Sequence, residues 1–142
     1  VKIRKALKLD FQALKDLDTV VPLDSTRPEH IDEWLEHDVV LVAELDNKIV
    51  GYGVYNHTFF RQGSVELLMI HSDYRGQKIG EHLLLALEEL CDTPRLWVTT
   101  NMSNHPMQRL LNRLDYEPGG YIHSLESGDP ELIFFKQMSQ AE

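Results

Sequence analysis

Residues 65–100 limit the fold more than any other part of this chain. Residues 65–70 read as a buried strand, 72–78 as a loop carrying Gly76, and 79–90 as a helix. In that helix Ile79, Leu83, Ala86, Leu87 and Leu90 form an apolar stripe, while Glu81, His82, Glu88 and Glu89 lie mostly toward solvent. Pro94 marks the break before a second strand, residues 95–100. Two such strands can pair in parallel only through a helical crossover of this kind. A sheet with a parallel pair and a helix laid on its face is therefore built into the sequence.

The flanking segments extend that sheet. Residues 1–6 read as a short edge strand, and Asp10 as the N-cap of a helix with Phe11, Leu14 and Leu17 on one side. Thr26-Arg27-Pro28-Glu29 has capping-box spacing and opens a second helix, in which Ile31, Trp34 and Leu35 share a face. Strands follow at residues 39–45 and 48–58. Asp46-Asn47 between them tolerates the positive φ of a tight hairpin, and Arg61-Gln62-Gly63 reads as the next turn. A further helix spans residues 106–114, with Met107, Leu110, Leu111 and Leu114 on one stripe, and a hairpin of residues 116–125 and 131–136 closes the chain. The order is β-α-α-β-β-β-α-β-α-β-β, an α/β (α+β) mixed sheet with helices on both faces. At 142 residues the expectation is one domain over residues 1–142.

Charge narrows the partners. Fourteen Lys plus Arg stand against twenty-three Asp plus Glu, a net charge of −9, which argues against nucleic-acid binding and against adhesion to an anionic membrane. Apolar runs such as Val39-Val40-Leu41-Val42-Ala43 fall far short of the roughly 20 residues a membrane span needs. With no signal-peptide apolar region at its start, the chain is expected in the cytoplasm. Cys91 alone makes neither an internal disulfide nor a cysteine zinc site, and the scattered histidines show no metal-type spacing, so no metal is expected.

The chemistry concentrates in Tyr74-Arg75-Gly76-Gln77-Lys78-Ile79-Gly80. A helix start presents unpaired backbone N–H groups and the positive end of the helix dipole. Gly76 permits the turn, Gly80 permits close approach of a ligand, and Arg75 and Lys78 add charge. An anion, and phosphate in particular, fits such a cradle, although an ordinary strand-to-helix turn with solvated cations explains the same residues. A P-loop is excluded because no G-x-x-x-x-G-K-[ST] run exists. A Rossmann fingerprint is excluded by the glycine spacing and by Thr99-Thr100-Asn101, which lacks the required acid.

These residues resemble the coenzyme A motif of the GNAT N-acetyltransferases, [R/Q]-x-x-G-x-[G/A], often written Tyr-Arg-Gly-x-Gly-Ile-Gly. Lys78 stands where the middle glycine is usual. A second motif, N-x-x-A-x-x-L-Y-x-K-x-G-F, is matched at Asn104 and Leu110, with Met107 for Ala, Leu111 for Tyr, Arg113 for Lys, and Asp115-Tyr116 for Gly-Phe. The element order fits the family along essentially the whole chain.

The resemblance implies the acyl-CoA N-acyltransferase fold, with splayed central parallel strands and the pantetheine arm of acetyl-CoA lying between them. It implies backbone contacts from Met69, Ile70 and His71, with an N–H near Met69 or Ile70 polarising the thioester carbonyl. The pyrophosphate would rest on Arg75, Gly76, Gln77, Lys78, Ile79 and Gly80, and Asn104 would touch the pantetheine or cap its helix. The implied reaction is direct attack of a primary amine on the thioester. Glu66 is the candidate base, acting through water; a surface glutamate on an alternating strand is the plainer account. The family tyrosine that protonates the thiolate is Leu111 here, and Tyr116, His105 and Ser103 offer no basis for choosing an acid. The acceptor region is expected from residues 20–37 and the turn 126–130, and the acidic surplus favours a cationic acceptor. A homodimer is compatible with the sequence. A CoA-binding sensor or partner protein with little catalysis is the alternative, motivated by Leu111 and Lys78, and an interaction domain without ligand is a third reading.

Overall fold

The computed structural model describes residues 1–138. Its elements are β1 (Lys2–Lys5), α1 (Phe11–Leu17), α2 (Arg27–His37), β2 (Val39–Leu45), β3 (Lys48–Phe59), β4 (Gln62–Ile70), α3 (Ile79–Glu89), β5 (Arg95–Asn101), α4 (His105–Arg113), β6 (Glu117–Ile122) and β7 (Glu131–Gln137). Single 3-10 turns add Lys8–Asp10 and Ser72–Tyr74. The mixed α/β order expected from the sequence is thus the order observed. The described chain forms two compact units: Val1–Asn56 with Leu67–Leu90, and His57–Glu66 with residues 91–138.

In the first unit the strands run β1-β2-β3-β4. β1 and β2 pair antiparallel with Ile3 opposite Ala43, and β2 and β3 with Val42 opposite Tyr52. Asp46 and Asn47 close the β2–β3 hairpin at φ of 52° and 62°, the conformation their small polar side chains tolerate. Alternation along β3 decides which helix packs where. Tyr52 and Val54 join Leu14, Leu17, Ile31, Trp34, Val40 and Val42 in one buried cluster, so α1 and α2 cover that face. Gly51 and Gly53 point the other way. A Cβ on Gly53 would sit 2.7 Å from Leu87 Cδ1, and one on Gly51 would sit 2.8 Å from Ile70 Cδ1, so these glycines let Leu83 and Leu87 of α3 lie against the strand.

In the second unit the order is β4-β5-β7-β6. The parallel β4–β5 pairing covers Ser64 opposite Trp97 and Val65 opposite Val98. β5 alternates: Leu96, Val98 and Thr100 are buried, as are Leu110, Leu111, Tyr116 and Phe134. Trp97 stacks instead between Phe59 and Phe135, with ring centroids 5.3 and 5.2 Å away.

Three local expectations need correction. Asp10 does not cap α1 through its side chain; its carboxylate accepts from the Leu7 N–H (2.7 Å) and from both Arg4 terminal nitrogens (2.9 and 3.2 Å), a stronger charged partner than a helix N–H. The capping box at Thr26 does not form, because the Thr26 hydroxyl donates to Asp24 Oδ1 at 2.7 Å. The β3–β4 turn is Phe60-Arg61, at φ of 52° and 63°, rather than Arg61-Gln62-Gly63. Phe59 is thereby kept in strand geometry against Trp97, and Gly63 donates to Thr93 Oγ1 at 3.0 Å.

Candidate active site

The segment after β4 turns sharply into α3. Gly76 lies at φ +79° with nothing within 4 Å of where a Cβ would stand. Lys78, the N-cap of α3, lies at φ 64°, ψ 17°, in the left-handed region, and makes no side-chain cap bond. This explains why glycine is the usual residue of the motif at that position: the turn asks for a conformation that costs an L-residue about 1–2 kcal/mol. The lysine meets the demand rather than altering the turn. Arg75, Gly76, Gln77 and Lys78 are exposed, Ile79 is buried under the helix and Gly80 is half-buried. The first turn of α3 therefore meets solvent between two cations, with no side-chain cap.

The end of β4 determines which main-chain groups face outward. The His71 N–H donates to Val50 O (2.8 Å) and its carbonyl accepts from the Tyr74 N–H (2.9 Å), so the His71 backbone is committed to β3 and the turn. The Met69 carbonyl also faces β3, lying 3.1 Å from the Cβ position of Gly51. Successive residues of a strand direct their main-chain groups to opposite edges. Ile70 is consequently the residue whose N–H and C=O face away from β3. The side chains of the other two are occupied as well: the Thr19 N–H lies 3.3 Å from Met69 Sδ, and His71 Nδ1 accepts from the Asp73 N–H at 3.0 Å. The latter bond sets the neutral imidazole as the Nε2–H tautomer.

In the second unit Asn104 caps α4, its Oδ1 accepting from the Met107 N–H at 3.2 Å. Glu66 is exposed on β4, between buried Val65 and half-buried Leu67. Leu111 is fully buried, so its stripe is core. Of the groups near it in sequence, Tyr116 is buried, His105 is exposed, and the Ser103 hydroxyl donates to Asp129 Oδ2 at 2.6 Å. Cys91 is half-buried, its Sγ 3.5 Å from Thr93 O. Among the described residues no cluster of His, Cys, Asp or Glu has metal-binding geometry.

Residues 4–116 match the family model described as Acetyltransferase (GNAT) family. The chain belongs to this family. Its enzyme class is that of an acetyl-CoA-dependent N-acetyltransferase, and acetyl-CoA is the co-substrate of the GNAT family. A Bacillus subtilis relative, provisionally named a ribosomal protein bS18-alanine N-acetyltransferase, is 29% identical over 89% of this chain and 93% of its own length. An acetyltransferase of Yersinia pestis is 33% identical over 61% of this chain and 64% of its own. A GNAT-family acetyltransferase structure from Bacillus cereus superposes with TM-score 0.89 at 24% identity, covering 98% of both chains. A Salmonella typhimurium acetyltransferase solved with acetyl-CoA gives TM-score 0.79 at 19% identity over 99% of this chain and 95% of that one, a likeness of fold.

One polar cluster escaped the sequence. Asp18, buried at the end of α1, accepts from the Val20 and Val21 N–H groups (2.7 and 3.2 Å), Arg27 Nε (3.1 Å) and the Tyr52 hydroxyl (2.5 Å). Burial, then the bond to Asp18, pushes the Tyr52 phenol far above its ordinary value. The cluster pins the start of the segment expected to meet the acceptor. Nothing in the spacing of residues 18, 27 and 52 announces it. Likewise, Asp129 of the β6–β7 turn accepts from both the N–H and the hydroxyl of Ser103, tying that turn to the loop before α4.

Proposed function

We propose that this chain acts as one domain over residues 1–142, in the cytoplasm, transferring acetyl from acetyl-CoA directly to a primary amine within a ternary complex. The observation that carries this reading is the left-handed pair Gly76 and Lys78 opening an uncapped helix. That geometry aims the first N–H groups of α3 at a single point, and Arg75 and Lys78 flank it. Two phosphates of coenzyme A are the anion the family places there. Within its unit, residues 67–70 form the edge β4 offers, and an extended amide chain can add to such an edge as a strand. The orientation of His71 supports Ile70, rather than Met69 or His71, as the residue whose N–H polarises the thioester carbonyl. Asn104 keeps its side-chain amide N–H groups for a ligand while its oxygen caps the helix.

In the reaction, a neutral amine attacks the carbonyl carbon, the C–O π electrons move to oxygen, and collapse of the tetrahedral species breaks the C–S bond. An alkylammonium of pKa about 10 must first lose a proton, and Glu66 serves as its acceptor through water. As the C–S bond breaks the nitrogen gives up its second proton to solvent, and the thiolate takes one from solvent, since Leu111 has none to give. The acceptor is a primary amine of a peptide or small molecule. Relatives named for alanine of a ribosomal protein make polypeptide amines the first class to try. The buried leucine in place of the family acid specifically favours one competing reading, a CoA-binding sensor. Thermal shift with coenzyme A, followed by thiol release across an amine panel, tests both. Stabilisation by coenzyme A with amine-dependent thiol release is expected. Binding without release for any amine would leave the sensor, and no stabilisation at all would overturn the assignment.

A further inference from the structure

The second unit carries a hollow on the face of β5 that points away from the buried Leu96 and Val98. It is lined by Thr58, Phe59, Ser64, Glu66, Trp97 and Thr99 and is a shallow, open hollow of about 110 Å³. That is smaller than a drug-sized site of roughly 300 Å³ or more and has room only for a side-chain-sized group. Its wall is rigid. The Phe59 and Trp97 rings stack at 5.3 Å with 33° between their planes, Phe135 backs Trp97 at 5.2 Å, and the indole N–H donates to Gln62 Oε1 at 2.7 Å. The row continues outward to Phe60, which meets Phe59 edge-on at 4.9 Å while 81% exposed. Phe60 also sits at φ 52°, the first position of the β3–β4 hairpin turn, which holds its ring outward.

The lining has one sign. It contains a carboxylate and two aromatic faces, with hydroxyls from Thr58, Ser64 and Thr99, and no Lys or Arg. Aromatic faces attract cations through their negative quadrupole, and a carboxylate beside them selects for positive charge. An anion would meet repulsion. We propose that this hollow binds the acceptor in its ammonium form, an alkylammonium chain lying along Phe59 and Trp97 with its charge toward Glu66. The inference rests on the acetyltransferase reading above and makes its substrate class a cationic alkylamine with an unbranched apolar stem. It gives Glu66 a role that precedes any proton transfer: an amine of pKa about 10 arrives at neutral pH almost wholly charged, and a site that meets the charged form captures the abundant species.

The test uses the full chain and the two indole N–H signals of Trp34 and Trp97, assigned by Trp97→Phe, during titration with n-butylammonium chloride and with n-butanol. The expected result is a saturable shift of the Trp97 signal by butylammonium, an unmoved Trp34 signal, and at least about tenfold weaker binding of butanol. Glu66→Gln should weaken butylammonium about fivefold or more with the spectrum otherwise retained. Equal response to both ligands, no response, or indifference to Glu66→Gln would each overturn the proposal, as would sedimentation showing this face closed between two copies. Coenzyme A binding, followed separately by thermal shift, keeps the two readings apart. If coenzyme A binds and Trp97 ignores the ammonium, only the present inference fails; if coenzyme A does not bind, the acetyltransferase reading fails.

Discussion

Replacing Lys78 separates two effects that the wild-type residue combines. Its φ of 64° holds an L-residue in the left-handed region at the N-cap of α3, where no side-chain cap bond offsets the strain. Glycine removes a penalty of about 1–2 kcal/mol but adds about 0.5–1 kcal/mol of unfolded-chain entropy. The net gain for Lys78→Gly is therefore about 0.5–1 kcal/mol, which for a chain of 142 residues raises Tm by about 2–4 °C. Lys78→Ala keeps the strain and loses only the charge, so its Tm should stay within about 1 °C of wild type. Coenzyme A affinity should respond in the other pattern. A single exposed ammonium near a phosphate contributes about 1 kcal/mol at ordinary salt, so both variants should bind coenzyme A about fivefold more weakly, and the difference should shrink as salt rises. Calorimetric Tm and coenzyme A titrations at low and high salt read both quantities. Equal Tm for the glycine and alanine variants would refute the strain argument, and unchanged affinity in both would remove Lys78 from the phosphate site.

Gly80→Glu should abolish coenzyme A binding in the same titration while the far-ultraviolet spectrum is unchanged, because it sets a carboxylate in the first turn of α3. Leu111→Tyr restores the family tyrosine at a fully buried position, and overpacking should lower stability by about 1–3 kcal/mol in denaturant melts without raising turnover. The Asp10 carboxyl is held below its ordinary value of 3.8 chiefly by the hydrogen bonds from Arg4, against the cost of burial. A depressed folded-state value means that its contribution is complete above the unfolded value and is lost as pH falls through the folded one. Asp10→Asn should accordingly cost about 1–2 kcal/mol at neutral pH and flatten the acid limb of the stability curve below about pH 4.

The architecture was legible because its signals are local and repeated. The stripe of Ile79, Leu83 and Leu87 needs no partner to be recognised, and Asp46-Asn47 carries its turn conformation in two side chains. The loop 75–80 was legible for the same reason, and Lys78, the residue that departs from the motif, turned out to adopt the backbone conformation that the absent glycine explains. Helix starts were read less well. Asp10 and Thr26 hold the right residue types for caps, yet each found a stronger partner, Arg4 across six residues and Asp24 two residues back, and propensity has no means of weighing those competitors. The polar cluster of Asp18, Arg27 and Tyr52 lay further out of reach. Its members come from the C-terminal cap of α1, from α2 and from β3, and only folding brings a carboxylate, a guanidinium and a phenol to one buried point. The aromatic hollow shares that character. Phe59, Glu66 and Trp97 belong to three strands, so the sequence displays each as an ordinary strand residue, and the chemistry that would choose the acceptor exists only in the register that sets Ser64 opposite Trp97. The proposed acceptor hollow is assembled from cross-strand neighbours, whereas the proposed cofactor cradle is one continuous turn, and a single sequence reveals the second far better than the first.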